Sequence, residues 1–416
     1  SVQQTADGGF IIVGGTRSYG NGNDDVWLIK TDSEGNEQWN QTWGLGGSDH
    51  GRSVQQTSDG GYIIAGESYY AALLLKTDSN GNEEWNQLLT SYNNDRANSV
   101  RQTPDGGYIV AGRVTVSSPF NNLDILLTKT NASGIEQWSQ TFGGTSEDDE
   151  ASAVELTNDG GYILAGETES FGNGSKDIWL IKTDSNGSSQ WSQTYGGSST
   201  DAARSVQTTS YGGYIITGYT YSFGNGGADT WLLKTDGNGN LDWDKTYGGT
   251  GGDFGESVLE ANEGGYIIAG SQYSFGSGGY DAWLIHESDP LPSINISSSE
   301  SSPTNASPIP ITVTFSIDVT GFEQSDVSVG NGLISSFSGS GQSYSFNITP
   351  SSEGAVTVDI AENVAQDDEG NGNLDAQQFS ITYDGTSPTV SIASSATSPT
   401  ETSPIPITVD FSEDVS

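Results

Sequence analysis

The chain has 416 residues, with 13 Lys+Arg against 54 Asp+Glu for a formal charge of −41, 57 Gly, and neither Cys nor Met. Lack of Cys excludes disulfides, thiolate metal sites and cysteine nucleophiles, two His (His50 and His286) leave little for imidazole chemistry, and the acidic excess disfavours nucleic acid as a partner. No apolar run approaches 18 residues, so no membrane span is expected.

The length predicts two to four domains, and the missing Met, initiator included, predicts a chain processed or cut from a longer one. An internal repeat dominates the first two thirds. Paired glycines followed by an aromatic or similar position recur at Gly8, Gly60, Gly106, Gly160, Gly212 and Gly264, spaced by 52, 46, 54, 52 and 52 residues. In the fourth copy the unit reads SAVELTNDGGYILAGETESFGNGSKDIWLIKTDSNGSSQWSQTYGG. It parses into four short strands: SVQQT (Ser53 to Thr57 in copy two), the apolar YIIAG after a DGG turn, DIWLIKTD after a Ser/Gly/Asn loop, and QWSQTYGG after a DSNG turn. No 3.6-residue apolar period competes with this reading, so the region is all-β. Four strands in about 50 residues suit a propeller blade better than a solenoid coil, which needs only ~20–30 residues per turn. Trp27, Trp179, Trp231 and Trp283 on the third strands, and Trp39, Trp85, Trp138, Trp191 and Trp243 on the fourth, are the expected packing elements between blades.

These residues resemble the kelch and quinoprotein-like propellers, and more closely the repeats of large archaeal and bacterial surface proteins that carry SVQQT, DGGYIIAG, WLIKTD and GN followed by Trp. The resemblance covers residues 1 to about 286. Kelch blades place the glycine pair after the apolar strand, whereas here it precedes it. Quinoprotein repeats share the Gly35 to Trp39 spacing, but no repeated cofactor residues accompany it, so the resemblance implies a propeller and no quinone. Copy six stops after its third strand (Ala282 to Ser288), which gives 23 strands and predicts truncation, a tolerated strand loss, or completion by another chain.

From Pro290 the composition changes. No Trp follows Trp283, no Lys or Arg follows Lys245, and β-branched stretches such as PIPITVTFSI, SYSFNITP and AVTVDIA alternate with Gly/Ser/Asn turns. About seven strands in 95 residues predict an antiparallel sandwich. It resembles the bacterial Ig-like domains of adhesins and surface-layer proteins, whose tail motif is matched by Asn363 to Asn373. SPTNASPIPITVTFSIDV from Ser302 returns as SPTETSPIPITVDFSEDV from Ser398, a 96-residue period. The expected domains are therefore a propeller at 1–288, an Ig-like sandwich at 289–385 and the start of a second one at 386–416.

Among candidate sites, Asp78, Asn80 and Asn82, and likewise Asp236, Asn238 and Asn240, read as hairpin turns, because Gly stands fourth and a strand follows at once. Asp367, Asp368, Asn371, Asn373 and Asp375, with Glu369 between them, form the calcium candidate, dense in oxygen ligands and without a nearby cation. The run Glu147, Asp148, Asp149 and Glu150 reads as a solvated inter-blade turn. Tyr69, Tyr70, Arg96, Arg101 and Arg113 are the main departures from the repeat and candidates to line a polar groove, with simple drift of the repeat as the other reading. Asn40, Asn131, Asn173, Asn186, Asn295, Asn305 and Asn347 begin glycosylation sequons. No residue is assigned as catalytic and no organic cofactor is expected; Ca2+ is the one candidate ligand ion. The sequence as a whole predicts an extracellular segment of a surface, adhesin or filament protein that acts as a scaffold, with other copies of itself as partners. A propeller module binding glycans or proteins is the alternative, and a carbohydrate-active propeller enzyme the third reading.

Overall fold

The structure, a computed structural model, describes residues 1–416 apart from 21–22, 70, 91–93, 117–121, 146, 210–211, 262–264, 277, 289–290, 368–369, 400, 402 and 413–416. It divides into two units, Ser1–Asp289 and Pro290–Ser416. In the first unit, residues 2–43, 49–88, 96–142, 149–195 and 201–247 each form a four-stranded antiparallel meander, and 253–287 forms a three-stranded one. Neighbouring meanders touch through their first and second strands, with contacts thinning toward the fourth, so the sheets radiate like the blades of a propeller.

The apolar second and third strands explain why no blade stands alone. In blade four, Ile163, Ala165, Ile178 and Leu180 face blade five, whereas Leu164, Trp179 and Ile181 face blade three. Both faces are dry, as the unbroken apolar run requires. Five such cores join blades one to six in sequence. Among the described residues no sixth core joins blade six to blade one, and Leu284 on the far face of blade six is 70% exposed.

Two motifs of the repeat are requirements of close approach. In the DGG turn of blade four, Gly160 has φ +82, while Gly161 has no room for a side chain: a Cβ there would lie 2.1 Å from Thr183 O. The glycine of the D-x-x-G turn is fixed from outside, because a Cβ on Gly187 would lie 2.5 Å from the Trp138 ring of the preceding blade. That same Trp138 packs on Tyr162, the aromatic after the next blade's glycine pair, with ring centroids 6.1 Å apart. The contact recurs as Trp39–Tyr62, Trp85–Tyr108, Trp191–Tyr214 and Trp243–Tyr266, each at 5.9 Å. A buried lysine staples each of the first four blades at this end. Lys182 Nζ donates to Asp159 at 2.8 Å, to Thr183 O at 2.8 Å and to Gln190 at 3.1 Å, and Lys30, Lys76 and Lys129 do the same work on Asp7, Asp59 and Asp105.

The first strands begin earlier than SVQQT. Blade two's strand is Asp49–Gln56 and blade four's is Asp149–Leu156. Asp149 and Glu150 are therefore strand residues, which corrects the reading of the acidic run as a solvated turn. Asp149 is buried against Gly144 N and the Ser170 hydroxyl, and Glu150 pairs with Arg113.

In the second unit, Ile294–Ser297, Ile309–Val319 and Gly332–Pro350 form one sheet, and Val327–Gly330, Gly354–Ile360 and Phe379–Tyr383 the other. Alternate residues of each, among them Val313, Phe315, Phe346, Val356 and Val358, fill one core. Val390–Ser394 then pairs with Ile407–Phe411 in the register already used by Ile294–Ser297 on the first copy, 96 residues earlier: Val390 lies opposite Phe411 as Ile294 lies opposite Phe315.

Candidate functional site

At the end of the blades opposite the lysine staples, the repeat keeps its backbone and varies its side chains. From blade two onward a buried Asp stands at the start of each first strand, or one residue before it in blade three (Asp49, Asp95, Asp149, Asp201, Asp253), and each second strand carries a glycine (Gly66, Gly112, Gly166, Gly218, Gly270). The glycine is obligatory, because a Cβ would lie 1.9 to 2.0 Å from the carbonyl of the residue after that Asp. Between these fixed points sit cross-strand pairs that differ in every blade: His50 with Glu67, Arg96 with Arg113, Glu150 with Glu167, Ala202 with Tyr219 and Phe254 with Ser271. Cross-strand neighbours in such pairs are ~4.5–5.5 Å apart at Cβ, and contacts of Arg96 with Glu67, Arg113 with Glu150 and Tyr219 with Phe254 link pairs of neighbouring blades, so the varied positions line up as a belt.

In blades one to four the belt is charged. Glu67 receives Arg52 at 3.0 Å and Arg96 at 3.3 Å, and Glu150 receives Arg113 at 2.7 Å and the Asn98 amide at 2.7 Å. His50 lies 3.7 Å from Asp24, itself paired with Arg17 at 2.6 Å, and Lys176 pairs with Glu167 at 2.6 Å. Burial pushes the Glu150 carboxyl up, but Arg113, Asn98 and Arg96 outweigh it and hold it below its ordinary value. Burial, then the charges of Arg113 and Arg52, lower Arg96 from its ordinary value. A cleft of about 510 Å³ bordered by Arg17, Asn23, Asp24 and Ser48 opens beside this network.

In blades five and six the belt turns aromatic. Tyr219 packs on Tyr221 at 5.9 Å and on Phe254 at 5.1 Å, Phe254 meets Tyr280 at 6.0 Å, and Tyr280 meets Tyr273 at 5.3 Å. The Arg204 guanidinium lies 5.2 Å above the Tyr219 ring. Tyr221, Tyr273 and Tyr280 remain half or more exposed. This concentration of side chains accounts for the few bases of so acidic a chain. Of 13 Lys and Arg, six (Arg17, Arg52, Arg96, Arg113, Lys176 and Arg204) stand at this end, while four of the remaining lysines are the staples.

Of the residues singled out from sequence, Arg96 and Arg113 meet in the belt. Arg101 does not: it sits further along the same strand and pairs with Glu155 of blade four. Tyr69 is exposed above Gly47, and Tyr70 lies outside the described residues. The belt's aromatic half escaped the sequence reading. Its signal was present in the aligned copies, in the varied residues directly after the recurring Asp and Gly.

The calcium candidate of the sandwich is a hydrogen-bonded clip among its described members. Asp367 accepts from the Asn371 backbone N at 2.8 Å and from its amide at 3.1 Å, the pattern that Asp78 makes with Asn82 in the blade turns. Asn373 is buried and fully used, accepting from Val364 N and Ala365 N and donating to Ala361 O and Leu374 O. Asp375 is exposed, and Asp368 lies outside the described residues. Of the sequon asparagines, Asn40, Asn173, Asn186, Asn295 and Asn305 are exposed, while Asn131 and Asn347 are half-buried. Asn131 Oδ1 also accepts from Ser133 N and Ile135 N, in the place that Asp takes in other blades.

Residues 289–383 match the family of bacterial Ig-like domains. No curated protein matches the chain. Similar solved structures include the Pan2 WD40 domain of Neurospora crassa, with TM-score 0.42, 10% identity, and 83% of this chain and 88% of that one covered. Another is an exo-beta-1,3-galactanase from Phanerochaete chrysosporium, with TM-score 0.38, 13% identity, and 89% and 93% covered. A third is the biofilm matrix protein Bap1 of V. cholerae, with TM-score 0.30, 11% identity, and 90% and 68% covered. At these values the likenesses add nothing to the blade geometry described above.

Proposed function

We propose that the chain is an extracellular surface module in which repeated β-structure is the scaffold and the non-repeating belt of the propeller binds a carbohydrate partner. The observation that carries this reading is the variation of register-matched positions directly after an Asp and a Gly that recur from blade two to blade six. Residues that only hold blades together repeat, as the lysine staples and the Trp–Tyr contacts do. The belt does not repeat, although Arg96 with Glu67 and Arg113 with Glu150 also cross joints between blades, and its two halves suit a glycan: exposed Tyr rings offer flat apolar faces with hydroxyls at their edges, and the arginines offer donors. The Ig-like family match at 289–383 supports the extracellular setting. Binding is favoured over hydrolysis because Glu67 and Glu150 are both held by arginine, and Glu150 is kept ionised rather than raised as a general acid requires.

The test is a glycan array probed with the full chain. Binding to a defined class of glycan that Tyr280→Ala abolishes supports the reading. A pure scaffold gives no hit on the array, and an enzyme releases product from the bound glycan; either result replaces it.

A further inference from the structure

Away from the belt, buried carboxylates face each other across the joints between blades. The third strand of blade one begins at Asp25 and the first strand of blade two at Asp49; the pair returns as Asp124 with Asp149 between blades three and four, as Asp177 with Asp201 between four and five, and as Asp229 with Asp253 between five and six. Asp25, Asp49, Asp177 and Asp201 are at most 2% exposed. A Cβ on Gly196 would lie 1.7 Å from Asp177 Oδ1 and 2.9 Å from Asp201 Oδ2, and one on Gly44 would lie 1.9 Å from Asp25 Oδ1 and 2.9 Å from Asp49 Oδ2. The two oxygens of each pair are therefore less than about 5 Å apart, a span that two ligands at ~2.3–2.6 Å from one calcium ion cover.

The pairs are incompletely satisfied. Asp201 is well supplied, accepting from Gly197 N at 2.9 Å, from the Ser222 hydroxyl at 2.6 Å and from the Thr220 hydroxyl. Asp177 Oδ2 accepts from Asn173 N at 2.6 Å, but Asp177 Oδ1, the oxygen on the Asp201 side, is buried with no donor; at the first joint the donorless oxygen is Asp49 Oδ1, whereas Asp49 Oδ2, on the Asp25 side, accepts from Leu45 N at 2.9 Å. A buried carboxylate oxygen without a donor is costly. No Lys, Arg or His among the described residues offsets the charge at either joint; Lys176, beside Asp177, is taken by Glu167 and Glu169. Burial, opposed by the Asn173 amide and reinforced by the charge of Asp201, pushes the Asp177 carboxyl up.

We propose that the joint between blades four and five binds a divalent cation of the calcium type, held by Asp177 with Asp201. The ion supplies the positive charge that the orphaned oxygen lacks and ties the third strand of one blade to the first strand of the next. The described residues hold no cluster of three or more His, Cys, Asp or Glu ligands, so water completes the shell. The affinity then falls in the range of extracellular modules, ~10⁻⁴–10⁻³ M. The joint between blades two and three is a natural control. It has Ala71 where the first carboxylate would stand, and Asp95 there accepts from Thr115 N at 2.6 Å.

The experiment uses the full chain with Tb3+ as the probe, excited through tryptophan, since Trp179 stands two residues from Asp177. Thermal unfolding is followed in parallel in calcium and in EGTA at equal ionic strength. About one Tb3+ ion per chain is expected at this joint, displaced by Ca2+, with Asp177→Asn removing it together with the calcium-dependent rise in Tm. Asp95→Asn and Asp367→Asn are expected to leave both readouts unchanged. The Asn variants keep the shape of the side chain, and circular dichroism in EGTA checks that they fold. No Tb3+ uptake, or uptake unchanged in Asp177→Asn, overturns the proposal. So does a Tm that ignores calcium and whose rise on acidification shrinks in Asp177→Asn, which would mean that the pair shares a proton instead.

Discussion

The two glycines of each DGG turn serve different ends, and substitution separates them. Gly160→Ala places a side chain in open space at φ +82, so its cost is the left-handed backbone alone, ~1–2 kcal/mol, partly offset by a less flexible unfolded chain. A net loss of about 1 kcal/mol follows. Gly161→Ala puts a methyl 2.1 Å from Thr183 O and 2.7 Å from Lys182 Nζ, so the third strand or the turn must move about 1 Å. That movement strains the turn bond from Thr157 N to Gly161 O, 3.0 Å long, and the Lys182 bond to Thr183 O, 2.8 Å long. Overpacking at ~1–3 kcal/mol plus a weakened charged hydrogen bond at ~1.5–3 kcal/mol gives about 3–5 kcal/mol. Urea unfolding read by tryptophan fluorescence measures the total, and hydrogen exchange at blade four shows whether the loss is local, as expected in a repeat array. Equal losses in the two variants, or a larger one for Gly160→Ala, would refute the close-approach explanation of the motif.

Lys182→Met should cost about 1–3 kcal/mol, limited because Asp159 remains half exposed and is not stranded. Lys182, then Thr157, hold the Asp159 carboxyl at about 2, below its unfolded value, so this contribution is complete above about pH 4 and fades as the pH falls toward 2. Wild type and variant should therefore converge in Tm across that window. Burial, with Asp149 and Asp148, pushes Asp124 up to about 6, and its sign is opposite. The folded state holds that proton longer than the unfolded one, so stability falls as pH rises from about 4 to about 6. Asp124→Asn should stabilise at pH 7 and make no difference below about pH 4, which a Tm series checks. In the sandwich, Asn373→Ala should cost about 2–4 kcal/mol by stranding buried backbone groups at Val364, Ala365 and Ala361. Asn373→Asp should cost nearly as much, since a carboxylate cannot donate to Ala361 O; a harmless Asp there, by far-ultraviolet circular dichroism melts, would favour a metal-ligand role.

The blades were legible in the sequence because their markers are steric. Gly161, Gly187 and Trp138 each occupy places where one residue type fits, so they recur at a fixed spacing that survives drift elsewhere. The starts of the first strands were not legible. Asp149 and Glu150 look like an acidic loop until the Gly166 close approach and the Arg113 pairing show them inside a ladder. The belt was half legible: Arg96 and Arg113 stood out as departures, but placing Tyr219 and Phe254 beside them needed the register across blades. The loop at 367–375 showed the opposite limit. Its oxygen-rich composition reads equally as a cation loop or as the Asp–Asn turn that the blades use, and only hydrogen-bond geometry assigns Asn373 to the backbone.

The most direct test of a scaffold with a binding belt compares variants of the two classes in one binding titration against the best ligand from a glycan array. Tyr280→Ala and Arg204→Ala should each weaken binding by about tenfold or more, ~1.4 kcal/mol, with an unchanged melting temperature. Lys182→Met should lower the melting temperature and leave binding intact. Belt variants that bind like wild type, while the staple variant loses affinity, would contradict the division of labour between repeated and varied residues.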